Sequence, residues 1–462
     1  MKNEDAHASI LKEIAAFTRK HPQVTDVYGF FFDLSGIPRG KLYPVSYLQK
    51  LVEGAAAPRC CYVLNVLGEQ QAFHVGNVEG DPDCLLRMIP GSLKSMPWAD
   101  GSLAQCQLQF FENDGTTLLD IDPRNVLQKL LERLAAEFKY KVVCAFELEF
   151  FLCDIEAARN GEIKPPVSAR NRRRDTRSIL GLDCLESYQE VLQDIIFCAR
   201  AQGLPVAPVS AEMGRGQFEI TLNHHDDPLL MADQTCMLQR IIRQVSLKHG
   251  MGATFMSKPV SGEAGSGMHM HLSLLDQNGN NIFSSKGGTE ASDALLHSIG
   301  GMLAALPESM LILAPNVNAL RRFETGQCVA VSRSWGIENR SVALRVPLAA
   351  GNEQAWRIEN RMAGGDANVY LMLAAALAGI HHGMRHKIDP GPASTDFAEE
   401  VDAGMPLTFE RALQAFKEGK ILADYLGKDY IELYSEVKRL ESAAFYEHIS
   451  QRELDWFIRF EG

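Results

Sequence analysis

The sequence predicts an α+β protein in which a small N-terminal unit of mixed helix and strand precedes one large α/β-type unit. Three observations carry this reading. The chain has 462 residues, 46% hydrophobic and 23% charged, which is ample material for more than one core and no compositional case for disorder, collagen or a coiled coil. The first hundred or so residues pass from helical spacing to strand alternation over short segments. From Lys141 onward, strands with one polar face alternate with long helices, and no linker interrupts them.

In chain order, Ile10, Leu11, Ile14 and Phe17 recur at helical spacing, and Val27 to Phe32 then reads as a strand ending in a turn from Asp33 to Gly40. Ala104, Cys106, Leu108 and Phe110 alternate with Gln105, Gln107 and Gln109, the pattern of a half-buried strand. A boundary near Asn113-Asp114-Gly115 separates a domain at 1–115 from one at 116–462. Asp122-Pro123 has the cap and first-turn signature of a helix whose apolar face is Val126, Leu127, Leu130, Leu131 and Leu134. Further helices are expected at roughly 184–202, 228–249, 290–305 and 366–385. There is no internal repeat.

With 58 acidic residues against 46 Lys and Arg, the formal charge is -12, which argues against a nucleic-acid or acidic-membrane partner held by bulk electrostatics. Any anionic substrate must be met by locally placed arginines. The basic run Arg170-Asn171-Arg172-Arg173-Arg174 reads as a solvated loop. The acidic start, Met1 to Asp5, has no apolar stretch behind it, and the longest apolar run, Leu371 to Ile380, is too short to span a bilayer. A cytoplasmic protein is expected. Ten cysteines without a Cys-x-x-Cys pair read as reduced core thiols; adjacent Cys60 and Cys61 point to opposite faces if their segment is a strand.

Three strands concentrate chemistry on one face. Ala145 to Phe150 puts Glu147 and Glu149 on one side and Phe146, Leu148 and Phe150 on the other. In Gly265 to Ser273, His269, His271 and Ser273 share a face opposite Met268, Met270 and Leu272. Trp356 to Arg361 aligns Arg357, Glu359 and Arg361, while Glu212 and Glu219 flank a turn with Gly214 and Gly216. Alternating carboxylates and arginines form either an ion-pair ladder or a site that binds metals and anions together.

Glu147-Leu148-Glu149, Glu212 with Gln217-Phe218-Glu219, Gly265 to Ser273, Asn339-Arg340-Ser341 through Arg345-Val346-Pro347, and Arg357 to Arg361 resemble, in order, the signature blocks of glutamine synthetase. The resemblance covers Asp122 to about Lys387, and Asp33 to Lys41 resembles the γ-glutamylpolyamine synthetase branch. It implies a β-grasp-like N-terminal domain and a catalytic domain with a curved, mainly antiparallel sheet. It also implies two divalent ions, Mg²⁺ or Mn²⁺, the first held by Glu149, Glu212 and Glu219 and the second by Glu147, His269 and Glu359. Such a hard, oxygen-rich set suits these ions better than zinc. By the same resemblance Arg340 and Arg345 clamp the transferred phosphate, Arg322, Arg361 and Gly265 belong to the glutamate site, and His271, Ser273 and Arg357 contact ATP. The implied reaction phosphorylates the γ-carboxylate of glutamate and then lets an amine attack, with Glu212 the carboxylate left to take a proton. Rings of six subunits, single or stacked, are implied too, with the N-terminal domain of one subunit closing its neighbour's site.

Departures from the ammonia-using pattern shift the expected substrate. Cys328, two residues past Gly326, stands where the flap carries an acid, and the acidic Asp-Gly-Ser-Ser loop is replaced by Leu67-Gly68-Glu69-Gln70-Gln71-Ala72-Phe73. Glu324 lies on the flap in another register. Ala264 replaces a usual asparagine and Gln354 a usual lysine. An acid-poor pocket disfavours a small hydrated cation, so an organic amine is expected: a monoamine with an apolar or aromatic body, or a polyamine; Tyr62 and Phe73 read first as core residues and second as candidate lining residues. No tyrosine occurs between Tyr370 and Tyr425, where bacterial relatives carry an adenylylated one, and Phe397 lies in that span. The rival readings are an ammonia-using glutamine synthetase, a non-catalytic structural or regulatory paralogue, and a guanidino-phosphotransferase, which would not need the His269 block.

Overall fold

The computed structural model describes residues 2–69, 80–167, 179–284, 290–324, 329–349, 351–398 and 400–458. The helix Lys2–Lys20 buries Ile10 and Phe17 against a six-stranded sheet. At its centre Asp26–Phe32 pairs in parallel with Leu103–Phe111, the first long strand beside the last, which requires the intervening chain to cross over. Pro38–Pro44 flanks the first of these, and Asp83–Met88 with Ala55–Pro58 extends the other side.

The strand with the three glutamines differs from the half-buried expectation. Gln105 and Gln107 are buried, because the face they occupy is pressed against the following helices rather than water. Gln105 Nε2 donates to Gln202 Oε1 (3.1 Å) and accepts at Oε1 from Arg240 Nε (3.0 Å). Gln107 Nε2 donates to Asp233 Oδ1 (3.0 Å) and Tyr370 OH (2.7 Å). A buried polar face is stable only when its groups are paired, and here they are. Cys60 and Cys61 do not lie on a strand; Arg59–Tyr62 is a short 3-10 helix. The nine described cysteines are all free, seven of them buried.

Helix Pro123–Phe138 begins as expected, with Asp122 Oδ1 accepting from Arg124 N at 2.9 Å and proline in the first turn. The larger sheet has eight strands in the order Trp335–Ile337, Leu344–Val346, Ile358–Asn360, Met268–Leu275, Lys141–Asp154, Gln217–Leu222 and Val206–Ala211, with Met251–Thr254 also on Lys141–Asp154. Only its first pair is parallel. Among the described residues one helix, Asp293–Leu313, is long and apolar enough to cross a membrane, and it is mostly buried. It packs on Val369–His386 so closely that a Cβ at Gly301 would come within 2.1 Å of Gly379 O.

The helix Lys428–Tyr446 returns to the N-terminal unit. Its buried Lys438 donates from Nζ to Ser35 Oγ (3.0 Å) and Glu441 Oε2 (2.8 Å), while Glu441 Oε1 accepts from Val66 N (2.9 Å).

Candidate active site

Strand register assembles the site. Met268–Leu275 lies between Lys141–Asp154 and Ile358–Asn360, and antiparallel pairing sets His269 opposite Glu147 and His271 opposite Glu359. On the other edge of Lys141–Asp154, Glu149 is opposite Glu219; beyond Ile358–Asn360, Arg345 is opposite Glu359. Glu212 follows the outer strand Val206–Ala211, and its amide donates to Gln217 O at 2.9 Å. The opposite faces, with Phe146, Leu148, Phe150, Met268, Met270 and Leu272, are fully buried, so alternation alone turns the polar groups to one side.

Glu147 Oε2 lies 3.0 Å from His269 Nδ1, and its Oε1 lies 2.9 Å from His271 Nε2. Glu149 Oε2 accepts from Gly267 N (2.7 Å) and Gln217 Nε2 (3.2 Å). Glu359 accepts from Arg345 Nη1 at 2.7 Å and is paired through its other oxygen with Arg361 Nη1. Ligand atoms of Glu147, Glu219 and His269 lie within 4.8 Å of one another, as do those of Glu147, His271 and Glu359. These triads cut across the two sets that the family resemblance implies, with Glu147 common to both and held by imidazoles, and Glu359 held by guanidiniums.

The electrostatics fit a divalent-cation site. Burial and then the charges of Glu147, Glu149, Glu212 and Glu359 push the Glu219 carboxyl up to about 9. Burial and the Glu149 charge raise Glu212 to about 7. Burial also acts against ionisation of Glu147, but the hydrogen bonds of His269 and His271 outweigh it and hold that carboxyl well below the usual range. At Glu359 burial is outweighed by His269 and Arg361. Burial and mutual repulsion thus work against ionisation of Glu219 and Glu212, and divalent ions with oxygen ligands would offset that repulsion.

Arg322 is buried and donates to Met362 O (3.0 Å), Ala363 O (3.0 Å) and Arg361 O (3.2 Å), fixing the chain beside the cluster. Gly265 packs under it: a Cβ there would sit 2.3 Å from Ser257 O and 2.7 Å from Arg322 Cγ. Among the described residues, nothing hydrogen-bonds the buried Nε of Arg345 or that of Arg361. An orphaned buried donor costs about 1–3 kcal/mol, which an oxygen of a bound anion would recover. Arg340 is exposed on the turn before Leu344–Val346, and among the described residues no hydrogen bond joins it to the cluster.

A cleft of about 740 Å³ opens from Glu147, lined by His271, Ser273, Arg357 and Gln354. Arg357 Nε reaches His271 Nδ1 at 3.3 Å. Asn223, His224, His225 and Asn352 also line it and were not singled out from sequence, although an adjacent histidine pair directly after a site strand is a usable signal. Glu324 is exposed, its Oε2 3.3 Å from Lys258 Nζ. Tyr62 is core, packed on Phe31 and Phe110. Gly326, Cys328, Gln70 to Phe73 and Arg170 to Arg174 lie outside the described residues.

Residues 120–457 match the family described as glutamine synthetase, catalytic domain. The chain is 36% identical over 455 residues to the γ-glutamylputrescine synthetase PuuA of Escherichia coli (strain K12), covering 98% of this chain and 95% of that one. It is 29% identical to a glutamate–isopropylamine ligase of Pseudomonas sp, covering 99% of each chain. It is 30% identical to the γ-glutamylethanolamide synthetase GlnA4 of Streptomyces coelicolor, covering 93% of this chain and 90% of that one. The solved GmaS/ADP complex superposes with a TM-score of 0.82 at 24% identity, covering 96% of this chain and 99% of that one, a likeness of fold. The chain belongs to the glutamine synthetase family.

Proposed function

We propose that this ligase uses ATP to join the γ-carboxylate of glutamate to an organic amine through a γ-glutamyl phosphate. The observation that carries the reading is the convergence of five carboxylates, two imidazoles and three arginines around Glu147, which with His271 and Arg357 also lines the cleft. Glu149, Glu212 and Glu219 would hold one Mg²⁺ or Mn²⁺ and Glu147, His269 and Glu359 a second. Bound there, the ions supply charge neutralisation to a phosphoryl group in transfer. His271, Ser273 and Arg357, which line the cleft, contact ATP. Arg345 and Arg340 receive the transferred phosphate, Arg345 through the donor it leaves unpaired. Arg322, Arg361 and Gly265 hold glutamate, and Glu212 takes the proton that the attacking amine releases. The same reading carries the 1–115 and 116–462 division, a cytoplasmic setting and a ring of six subunits or stacked rings. Light scattering reads the assembly, and a fully active monomer would contradict it.

The relatives named for putrescine, isopropylamine and ethanolamide support an organic amine over ammonia. The missing acids at Cys328 and in the Leu67 to Phe73 loop favour a monoamine with an apolar body, while the 36% identity to the putrescine enzyme favours a polyamine. Phosphate release with ATP, Mg²⁺ and glutamate, measured against ammonia, putrescine, spermidine, ethanolamine and arylalkylamines, decides between them. The kcat/KM for the best organic amine should exceed that for ammonia by about 100-fold, and Cys328→Glu should narrow the gap. Ammonia matching every organic amine would make this an ordinary glutamine synthetase.

The raised carboxyls set a pH dependence for metal binding. Glu212 and Glu219 are protonated below about 7 and about 9, and a cation requires them ionised, so metal affinity should rise with pH through that window and each binding event should release protons. Calorimetry of Mn²⁺ binding in two buffers of different ionisation enthalpy measures this. Affinity flat from neutral to alkaline pH would show that these carboxylates do not ligate.

A further inference from the structure

We infer that Glu338 is the positioning residue that aims Arg345 at the transferred phosphate, an inference that rests on the phosphate-clamping role proposed for Arg345. Glu338 follows the strand Trp335–Ile337 with φ at +55°, a left-handed conformation that a residue with a Cβ adopts at a cost. The strained backbone, whose amide donates to Val346 O at 3.0 Å, turns the carboxylate back over the adjacent strand. There a single oxygen, Oε1, accepts from Arg345 Nη2 at 3.2 Å and also from the amide of Leu348.

Arg345 is thus gripped from two sides by carboxylates of different standing. Its Nη1 is on Glu359, which is almost wholly buried inside the acidic cluster and is shared with Arg361. Its Nη2 is on Glu338, which is 44% exposed and belongs to neither candidate triad. When Glu359 serves the cluster, Glu338 is the contact that keeps the guanidinium plane fixed, leaving the buried Nε as the free donor for an anion. The charge of Glu338 is also felt at Arg357, which lines the cleft.

Glu338→Gly and Glu338→Gln, compared with the wild type, test this. Glycine takes the left-handed backbone freely and removes the carboxylate; glutamine keeps an acceptor oxygen for Leu348 and Arg345. Three quantities are read: kcat with KM for glutamate, melting temperature, and the rise in melting temperature produced by ADP with inorganic phosphate. In Glu338→Gly we expect kcat to fall by about 10- to 100-fold with KM for glutamate within about threefold, the melting temperature held, and the phosphate-dependent rise diminished. Glu338→Gln should recover part of both losses. Glycine and glutamine variants with kcat and phosphate response at wild-type level would overturn the inference, as would a parallel fall of activity and melting temperature in both, which marks a purely structural residue. Wild-type protein that turns over no amine would sink the proposed function instead, and the phosphate response would still judge Glu338.

Discussion

Glu149→Ala abolishes turnover while leaving the protein folded. Glu149 sits on the strand Lys141–Asp154 of the larger sheet, opposite Glu219, and its loss removes one carboxylate from a cluster of five. The activity loss should reach about 1,000-fold, roughly 4 kcal/mol of barrier, since the phosphoryl group loses the charge stabilisation that the cluster organises. Stability should hold or rise, because burial and repulsion already force Glu212 and Glu219 upward and Glu149 is among the repelling charges. Steady-state kinetics with a melting curve check both halves. Turnover within about tenfold of wild type, in this variant or after chelation of metal, would remove the two-ion assignment.

Lys438→Met destabilises the chain by about 3–5 kcal/mol, the usual consequence of removing one member of a buried ion pair. The side chain of Lys438 is 1% exposed and that of Glu441 9% exposed, and the pair joins the penultimate helix to Ser35 and Val66 of the N-terminal unit. Burial works against the Lys438 charge, but the Glu441 carboxylate outweighs it and holds the ammonium protonated. With methionine in its place the Glu441 carboxylate loses its buried cation partner. The double variant Lys438→Met, Glu441→Gln should therefore recover part of the loss, measured by urea denaturation. A single variant within about 0.5 kcal/mol of wild type would show that the junction rests on its apolar contacts alone.

Much of the site was legible because strand alternation is local. The phenylalanines at 146 and 150 and the methionines at 268 and 270 had to share a buried face, which left Glu147, Glu149, His269 and His271 on the other. The cap at Asp122 and the long helices from Gln189, Pro228, Asp293 and Val369 were likewise written in short-range patterns. Gln105 and Gln107 were not legible: a polar face reads as solvent-facing until another part of the chain supplies Asp233, Tyr370 and Gln202 to bond it. Glu338 was missed for a similar reason, since its partners Arg345 and Leu348 are reached only through a left-handed turn.

The sequence by itself determined which side chains are acidic, basic or apolar and which face of its own strand each occupies, because the two-residue strand period needs no distant partner. Tertiary structure alone decided which strands are neighbours and in what register. That choice brought Glu149 to Glu219 and set His271 against Glu359. It thereby turned scattered carboxylates into one buried cluster, in which burial first and then the charges of the neighbouring carboxylates raise Glu219 to about 9.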